Sequence, residues 1–328
     1  MGMRTYTLAT LLFCRAAVAQ EDAGTTAFRL GNYVEAEQVF LAALAEQEAP
    51  ETVRRLADLY STQARNSAAE PLLIRLIGLC EDKYGGESVE VASALIDLAR
   101  VTRNLSRFRE AIFSVQRAIR IHHKALGPQS SELVKDFSLL GLMFTDLQEF
   151  DEAAKWYLEA LRTAEMAVGP SDPSLLPNLD SLATLYRNMR RYSDAEPLYR
   201  RALTIRERKF GPMDPELLST LDNLAYIFFG QKKYAQADPV YRRLLQLWEK
   251  AAGFDHPMLA LTLDKMVEFY VDQEKFSEAE CLAERALAIR RKSLVESLER
   301  SAKVYEEDQK PVMALPFTER AAALKAEP

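Results

Sequence analysis

Glycine, cysteine and histidine are all scarce here, at 12, 3 and 3 of 328 residues. The three cysteines, Cys14, Cys80 and Cys281, form no closely spaced pair, which excludes a disulfide framework and a cysteine metal site. The histidines, His122, His123 and His256, stand in no carboxylate–histidine spacing that would hold a metal. An excess of basic charge is also missing: the net charge is −6, with both signs mixed along the chain, so a general nucleic-acid surface is not expected. No apolar run reaches 18 residues, so no spanning helix is expected. No nucleophile sits beside a base, and no glycine-rich phosphate loop occurs. The chain therefore reads as a non-enzyme with no cofactor and no metal.

What is present is helical and periodic. Ala, Leu, Glu and Arg dominate, and 48% of the residues are hydrophobic. One globular core of this length would lie near the size limit, whereas a stacked array in which each unit touches only its neighbours does not meet it. Gly85, Gly127, Gly169, Gly211 and Gly253 recur every 42 residues, the mark of such an array.

A small residue recurs mid-unit at Ala36, Ala69, Ala111, Ala153, Ala195, Ala237, Ala279 and Ala314. Alanine there lets two helices approach closely, and anything larger would overpack the junction. Three residues earlier stands a ring in six of the eight units: Tyr33, Phe108, Phe150, Tyr192, Tyr234 and Phe276. Four residues later come Phe40, Leu73, Val115, Tyr157, Tyr199, Tyr241, Ala283 and Thr318. This spacing predicts one helical stripe facing the partner helix. Gly169-Pro170 and Gly211-Pro212 are expected to end second helices with a left-handed glycine. Asp172-Pro173 and Asp214-Pro215 are expected to start the following ones. Ser193 with Glu196, and Ser277 with Glu280, have capping-box spacing, and Pro197 and Pro239 are expected near first turns. After Arg291 the glycine linker is missing, and Pro311 to Lys325 reads as a polar end cap.

The segments LDSLATLYRNMRRYSDAEPLYRRALTIRERKFGPMDPELL, from Leu179, and LDNLAYIFFGQKKYAQADPVYRRLLQLWEKAAGFDHP, from Leu221, resemble the 42-residue tetratricopeptide repeats of kinesin light chain. The resemblance covers residues 51–295, with shorter units flanking it. It implies an all-α fold: a right-handed α-solenoid, or superhelix, of stacked antiparallel helix pairs. Residues 20–328 would then form an array of about seven to eight units, five of them at 42-residue spacing. The implied function is a scaffold or adaptor that binds a peptide or protein segment along its concave groove. A ligand- or signal-peptide-sensing regulatory module without catalytic activity is the alternative.

The family's inward-facing positions map onto Arg100, Arg103 and Asn104 in one unit and onto Asp180, Arg187 and Asn188 in another. The next two units supply Asp222, Asn223, Tyr226 and Phe229, then Asp264. Of the family's paired asparagines only Asn223 is kept, the pairs reading Asp180-Ser181, Asp222-Asn223 and Asp264-Lys265. An ionised Asp accepts hydrogen bonds but donates none. Charge is graded along this face, with Arg54, Arg100 and Arg103 at one end and Asp222, Asp264, Glu268 and Asp272 at the other. Tyr226 and Phe229 are candidate aromatic anchors, the alternative being that they pack against neighbouring units. The arginines of second helices, such as Arg200, Arg201, Arg206 and Arg208, read as a solvated face.

Arg4, the apolar run from Thr5 to Cys14, and Ala17-Val18-Ala19 give residues 1–19 the pattern of a secretory signal, which would make the protein secreted or periplasmic. The alternative is a cytoplasmic chain with a helical N-terminus.

Overall fold

The computed structural model describes residues 23–326, and no strand occurs among them. The signal expected at residues 1–19 lies outside the described residues. The chain divides into two compact units, with the boundary between Asn178 and Leu179. The first holds four helical hairpins: α1 (23–29) with α2 (Tyr33–Glu46), α3 (Pro50–Thr62) with α4 (Asn66–Tyr84), α5 (Val89–Asn104) with α6 (Phe108–Leu126), and α7 (Ser131–Asp146) with α8 (Phe150–Val168). The boundary falls within α9 (Leu176–Asn188). The second unit continues with α10 (Tyr192–Phe210), α11 (Leu218–Gly230), α12 (Tyr234–Ala252), α13 (Pro257–Val271), α14 (Phe276–Glu307) and α15 (Pro311–Ala326). Each unit is a run of helix pairs, as in an all-α solenoid.

The alanine column is the seam of both units. All eight alanines from Ala36 to Ala314 are buried. The positions four residues later are buried through Phe40, Leu73, Val115 and Tyr157 in the first unit and Tyr199 and Tyr241 in the second. The stripe then fades, because Ala283 and Thr318 are exposed. The rings three residues before the alanines begin the second helices, and the last of them, Phe276, is largely exposed. In α7, Gly141 lies under the Tyr157 ring, where a Cβ would come within 3 Å of it. The second unit's core gathers Tyr199, Phe228, Tyr241 and Phe269.

The hairpin turns have their own period, which the glycines do not show. Ala64, Ser106, Gln148, Arg190, Lys232, Glu274 and Gln309 all have φ near +60°. At Arg190 the turn closes with Arg190 N–H to the Arg187 carbonyl (3.0 Å) and Arg191 N–H to the Tyr186 carbonyl (2.8 Å). These two bonds form a Schellman motif, and the other turns repeat it. The next helix begins directly at the ring. The expected capping boxes therefore do not form: Arg191 and Lys275 are the N-cap residues, without a side-chain cap, and Ser193 and Ser277 lie inside the helices. Glu196 instead binds Arg200 (2.9 Å) and Lys233 (2.7 Å). Pro197 and Pro239 consequently lie just past the first turns, each at the sixth helical residue.

The linkers between hairpins follow expectation in residue type but not in dihedral. Gly169 (φ 84°, ψ 166°) and Gly211 (φ 96°, ψ 163°) combine positive φ with extended ψ, a region essentially closed to other residues, instead of the left-handed helical one. Asp172 and Asp214 cap as expected, accepting from Ser174 N–H (2.8 Å) and Glu216 N–H (2.9 Å). Each starts a short 3₁₀ turn, Pro173–Leu175 or Pro215–Leu217. His256 replaces this aspartate before α13, with Nδ1 accepting from Met258 N–H (3.2 Å).

Where the linker is missing, the helix does not stop. α14 runs for 32 residues, and α15 packs back against its distal half through Val295, Leu298, Ala321 and Leu324. The expected polar end cap is mixed: α15 exposes Glu319, Arg320 and Lys325, but also Val312, Met313 and Leu315.

Gly211→Ala is expected to destabilise the fold by about 1–3 kcal/mol, through the backbone alone, since a Cβ there meets no neighbour. Lys232→Gly relieves a left-handed residue worth about 1–2 kcal/mol while adding about 0.5–1 kcal/mol of unfolded-chain freedom. It should therefore be neutral or stabilise by about 1 kcal/mol. Urea denaturation of the two variants checks the contrast, and equal losses would contradict it.

Candidate functional site

The first helices α9, α11 and α13 of the second unit bring most of the expected inner-face residues together. Arg187, Asn188, Arg190, Asp222, Asn223, Tyr226 and Lys265 line a polar depression of about 550 Å³. Arg187 donates to the side-chain oxygens of Asn188 (3.0 Å) and Asn223. Its guanidinium also lies 6.0 Å from the centre of the Tyr226 ring. Tyr226 is 45% exposed and edge-on to Tyr192 at 6.1 Å. Phe229 is partly buried and packs edge-on against Phe269 at 6.1 Å, so of the two expected anchors Tyr226 is the more exposed.

The aspartates of this face are held by cations. Arg206 grips Asp180 with its two terminal guanidinium nitrogens, one at 3.0 Å, and Arg290 grips Asp264 likewise. Arg206 is buried, which corrects the reading of it as part of a solvated face. Between these two positions in the 42-residue register stands Trp248, which has no charge to offer. Asp222 is bound instead by Lys265 from the following first helix, at 2.6 and 2.8 Å. Asp272 accepts a hydrogen bond from Tyr234. Of the four charges expected at this end, Asp222 and Asp264 are thus paired with cations and Asp272 with a hydroxyl, while Glu268 has no ion pair among the described residues, nor has Glu216 beside it.

The remaining candidates, Arg100, Arg103 and Asn104, belong to the first unit. Arg103 is committed to Asp146 (2.5 Å), and Asn104 approaches Asn66 at 3.5 Å. Arg54 binds Asp97, and Arg100 lies 3.8 Å from the same carboxylate. Second-helix cations bridge back to the second helix of the preceding hairpin, as in Arg117–Glu81, Arg243–Glu207 and Arg285–Glu249, each 2.5 Å. Exposed pairs of this kind contribute about 0–1 kcal/mol each, and they hold neighbouring hairpins in register.

Sequence reasoning passed over Trp248, Met258 and Leu261, which line a second depression with Asp222, Asp264 and Lys265. A signal was available: Met258 stands where earlier units have Glu90, Glu132, Ser174 and Glu216, and Leu261 where they have Ser93, Lys135, Pro177 and Ser219. Among the described residues no group of three or more His, Cys, Asp or Glu could hold a metal ion, and no helix is long and apolar enough to cross a membrane.

Family models described as tetratricopeptide repeat match residues 137–208 and 216–292, and another matches residues 91–132, together more than half of the chain. The chain belongs to the tetratricopeptide repeat family. Among solved structures it is similar to the C-terminal part of a TPR repeat-containing protein from Cytophaga hutchinsonii, with TM-score 0.63 and 16% identity, covering 82% of this chain and 95% of that one. It is also similar to BtubC (BKLC) from P. vanneervenii, with TM-score 0.56 and 20% identity, covering 73% and 92%. A third is a Podosopora anserina structure of nearly identical kinesin light chain TPR-like repeats, with TM-score 0.55 and 17% identity, covering 63% and 99%. At these identities the likeness establishes the fold. No curated protein sequence matches the chain.

On the first unit's inner face, burial among neighbouring side chains, and then the Asp97 carboxylate, push Asp58 up to about 6 against the pull of Arg54 and Arg100. Asp58 is itself exposed, so these groups crowd its carboxyl without sealing it from water. Asp97 is raised as well, by burial. An unfolded Asp titrates near 3.9, so the folded state holds the Asp58 proton more tightly. Stability should therefore fall as pH rises from about 4 to about 6, with the full penalty present above that range. Asp58→Asn should match the wild type near pH 4 and melt at a higher temperature near pH 7.5. A gap that does not open across this window would contradict the assignment.

Proposed function

We infer that the protein is a binding module whose second unit holds an extended segment of a protein partner across α9, α11 and α13. One observation carries this reading: Arg187, Asn188, Asn223 and Tyr226 stand together in one open depression, with polar groups free to reach a backbone and a ring free to stack. Asn223 offers both donors and an acceptor, and the Arg187 fork still has N–H groups to share. A half-exposed tyrosine held edge-on by Tyr192 is a rigid contact surface, and such rings often dominate affinity. The compensated aspartates beneath act as supports for the face, because Arg206, Lys265 and Arg290 already occupy their carboxylates.

The test is selection of binders from a displayed random-peptide library on the full chain, followed by affinity measurement on alanine variants. Arg187→Ala and Tyr226→Ala are each expected to weaken the selected peptides by about tenfold or more, a change of about 1.4 kcal/mol. Circular dichroism should show unchanged helicity. Peptides that bind the wild type and both variants equally would overturn the placement.

A further inference from the structure

On the far side of the Asp222–Lys265 pair, a depression of about 700 Å³ lies between α11 and α13. Its lining includes Leu218, Trp248, Met258 and Leu261, of which Met258 and Leu261 are 43% and 49% exposed. The Trp248 ring is kept in place by His256, stacked on it at 5.7 Å and 10°. This apolar floor results from three departures within one stretch of the repeat. Trp248 replaces the arginine that Arg206 and Arg290 represent, Met258 replaces Glu216, and Leu261 replaces Ser219. Trp248 also packs against Leu244 and Leu247 of the core, whereas Met258 and Leu261 stay exposed at positions that carry Glu216 and Ser219 in the preceding unit, so hairpin packing does not account for those two.

The lining is also acidic. Glu216 and Glu268 belong to it, are exposed, and have no ion pair among the described residues. The other two carboxylates, Asp222 and Asp264, are compensated by Lys265 and Arg290. The depression therefore presents exposed apolar surface beside two uncompensated negative charges. An apolar ligand alone would leave those charges unanswered, and an acidic one would be repelled by them.

We propose that this depression is a specificity pocket for a protein segment carrying a large apolar side chain flanked by Lys or Arg. The apolar side chain covers Met258, Leu261 and Trp248, removing their surface from water. The flanking cations reach Glu216 and Glu268, where oppositely charged groups select the partner and speed its approach. The proposal rests on the reading of the second unit as a peptide-binding face and adds the chemistry that this face selects.

The experiment compares peptides selected from one random library against the wild-type full chain and against Glu216→Lys/Glu268→Lys. Both positions are exposed, so the variant keeps its fold, checked by helicity and melting temperature. Peptides selected on the wild type should be enriched in a large apolar residue next to Lys or Arg. They should lose about tenfold or more in affinity on the double variant, whose own selection should shift towards Asp and Glu. Leu261→Ser should weaken the same peptides while leaving their basic preference intact. Wild-type binders that depend on Arg187 and Tyr226 but lack the basic–apolar signature would overturn this proposal and leave the binding face standing. Absence of any selected peptide would count against both. Sedimentation of the wild type supplies the remaining arm: self-association abolished by Leu261→Ser would identify a second copy of the chain as the occupant and overturn the proposal.

Discussion

The close approach of two helices over a single methyl group is the constraint on which both units depend. Each hairpin crosses at one alanine of the column from Ala36 to Ala314, all of them buried. A hairpin of this size has too little interior to hide its apolar stripe by itself, so it shelters that stripe against the next one. Aromatic residues such as Tyr199, Tyr241 and Phe269 then fill the space around the seam. A larger residue at the seam would separate the helices and open gaps among those rings, which is why the small residue does not vary while the rings do.

Two different backbone devices set the period. The hairpin turns use a left-handed residue that need not be glycine, because the Schellman bonds around Arg190 and its equivalents hold it there. The linkers use glycine at positive φ and extended ψ, a combination that a side chain opposes much more strongly. The contrast explains why glycine recurs in one place and Ala, Ser, Gln, Arg, Lys and Glu in the other. It also explains α14: Val295 stands where the linker glycine would fall and Leu298 where the capping residue would, so nothing interrupts the helical hydrogen bonds, and two segments that would otherwise be separate run together.

Because packing is settled at the seam, the inner face is free to vary. The exchange of one cation shows how that freedom is used. Arg206 and Arg290 hold the aspartates Asp180 and Asp264 from within their own hairpins, whereas Trp248 cannot hold Asp222. Lys265 takes over from the next helix, and the indole becomes part of a pocket floor. One substitution thus alters both the charge network and the shape of the surface, while the helices around it keep their register.

The helical class, the positions of the hairpin seams, the linker glycines and the capping roles of Asp172 and Asp214 were all legible in the chain, because each depends on local spacing and on what a backbone dihedral permits. The inner-face positions were legible in identity but not in state. Whether Asp264 is a free charge, whether Arg206 is solvated, and whether Phe229 or Tyr226 meets water depend on side chains 26, 34 or 40 residues away that only packing brings into contact. The capping boxes were misread for a local reason: Ser193 has the right spacing, but the turn formed by the preceding helix had already fixed where the next one starts. Sequence by itself determined what repeats. Tertiary structure decided which charges remain uncompensated and which apolar side chains remain uncovered, because both are properties of neighbours in space.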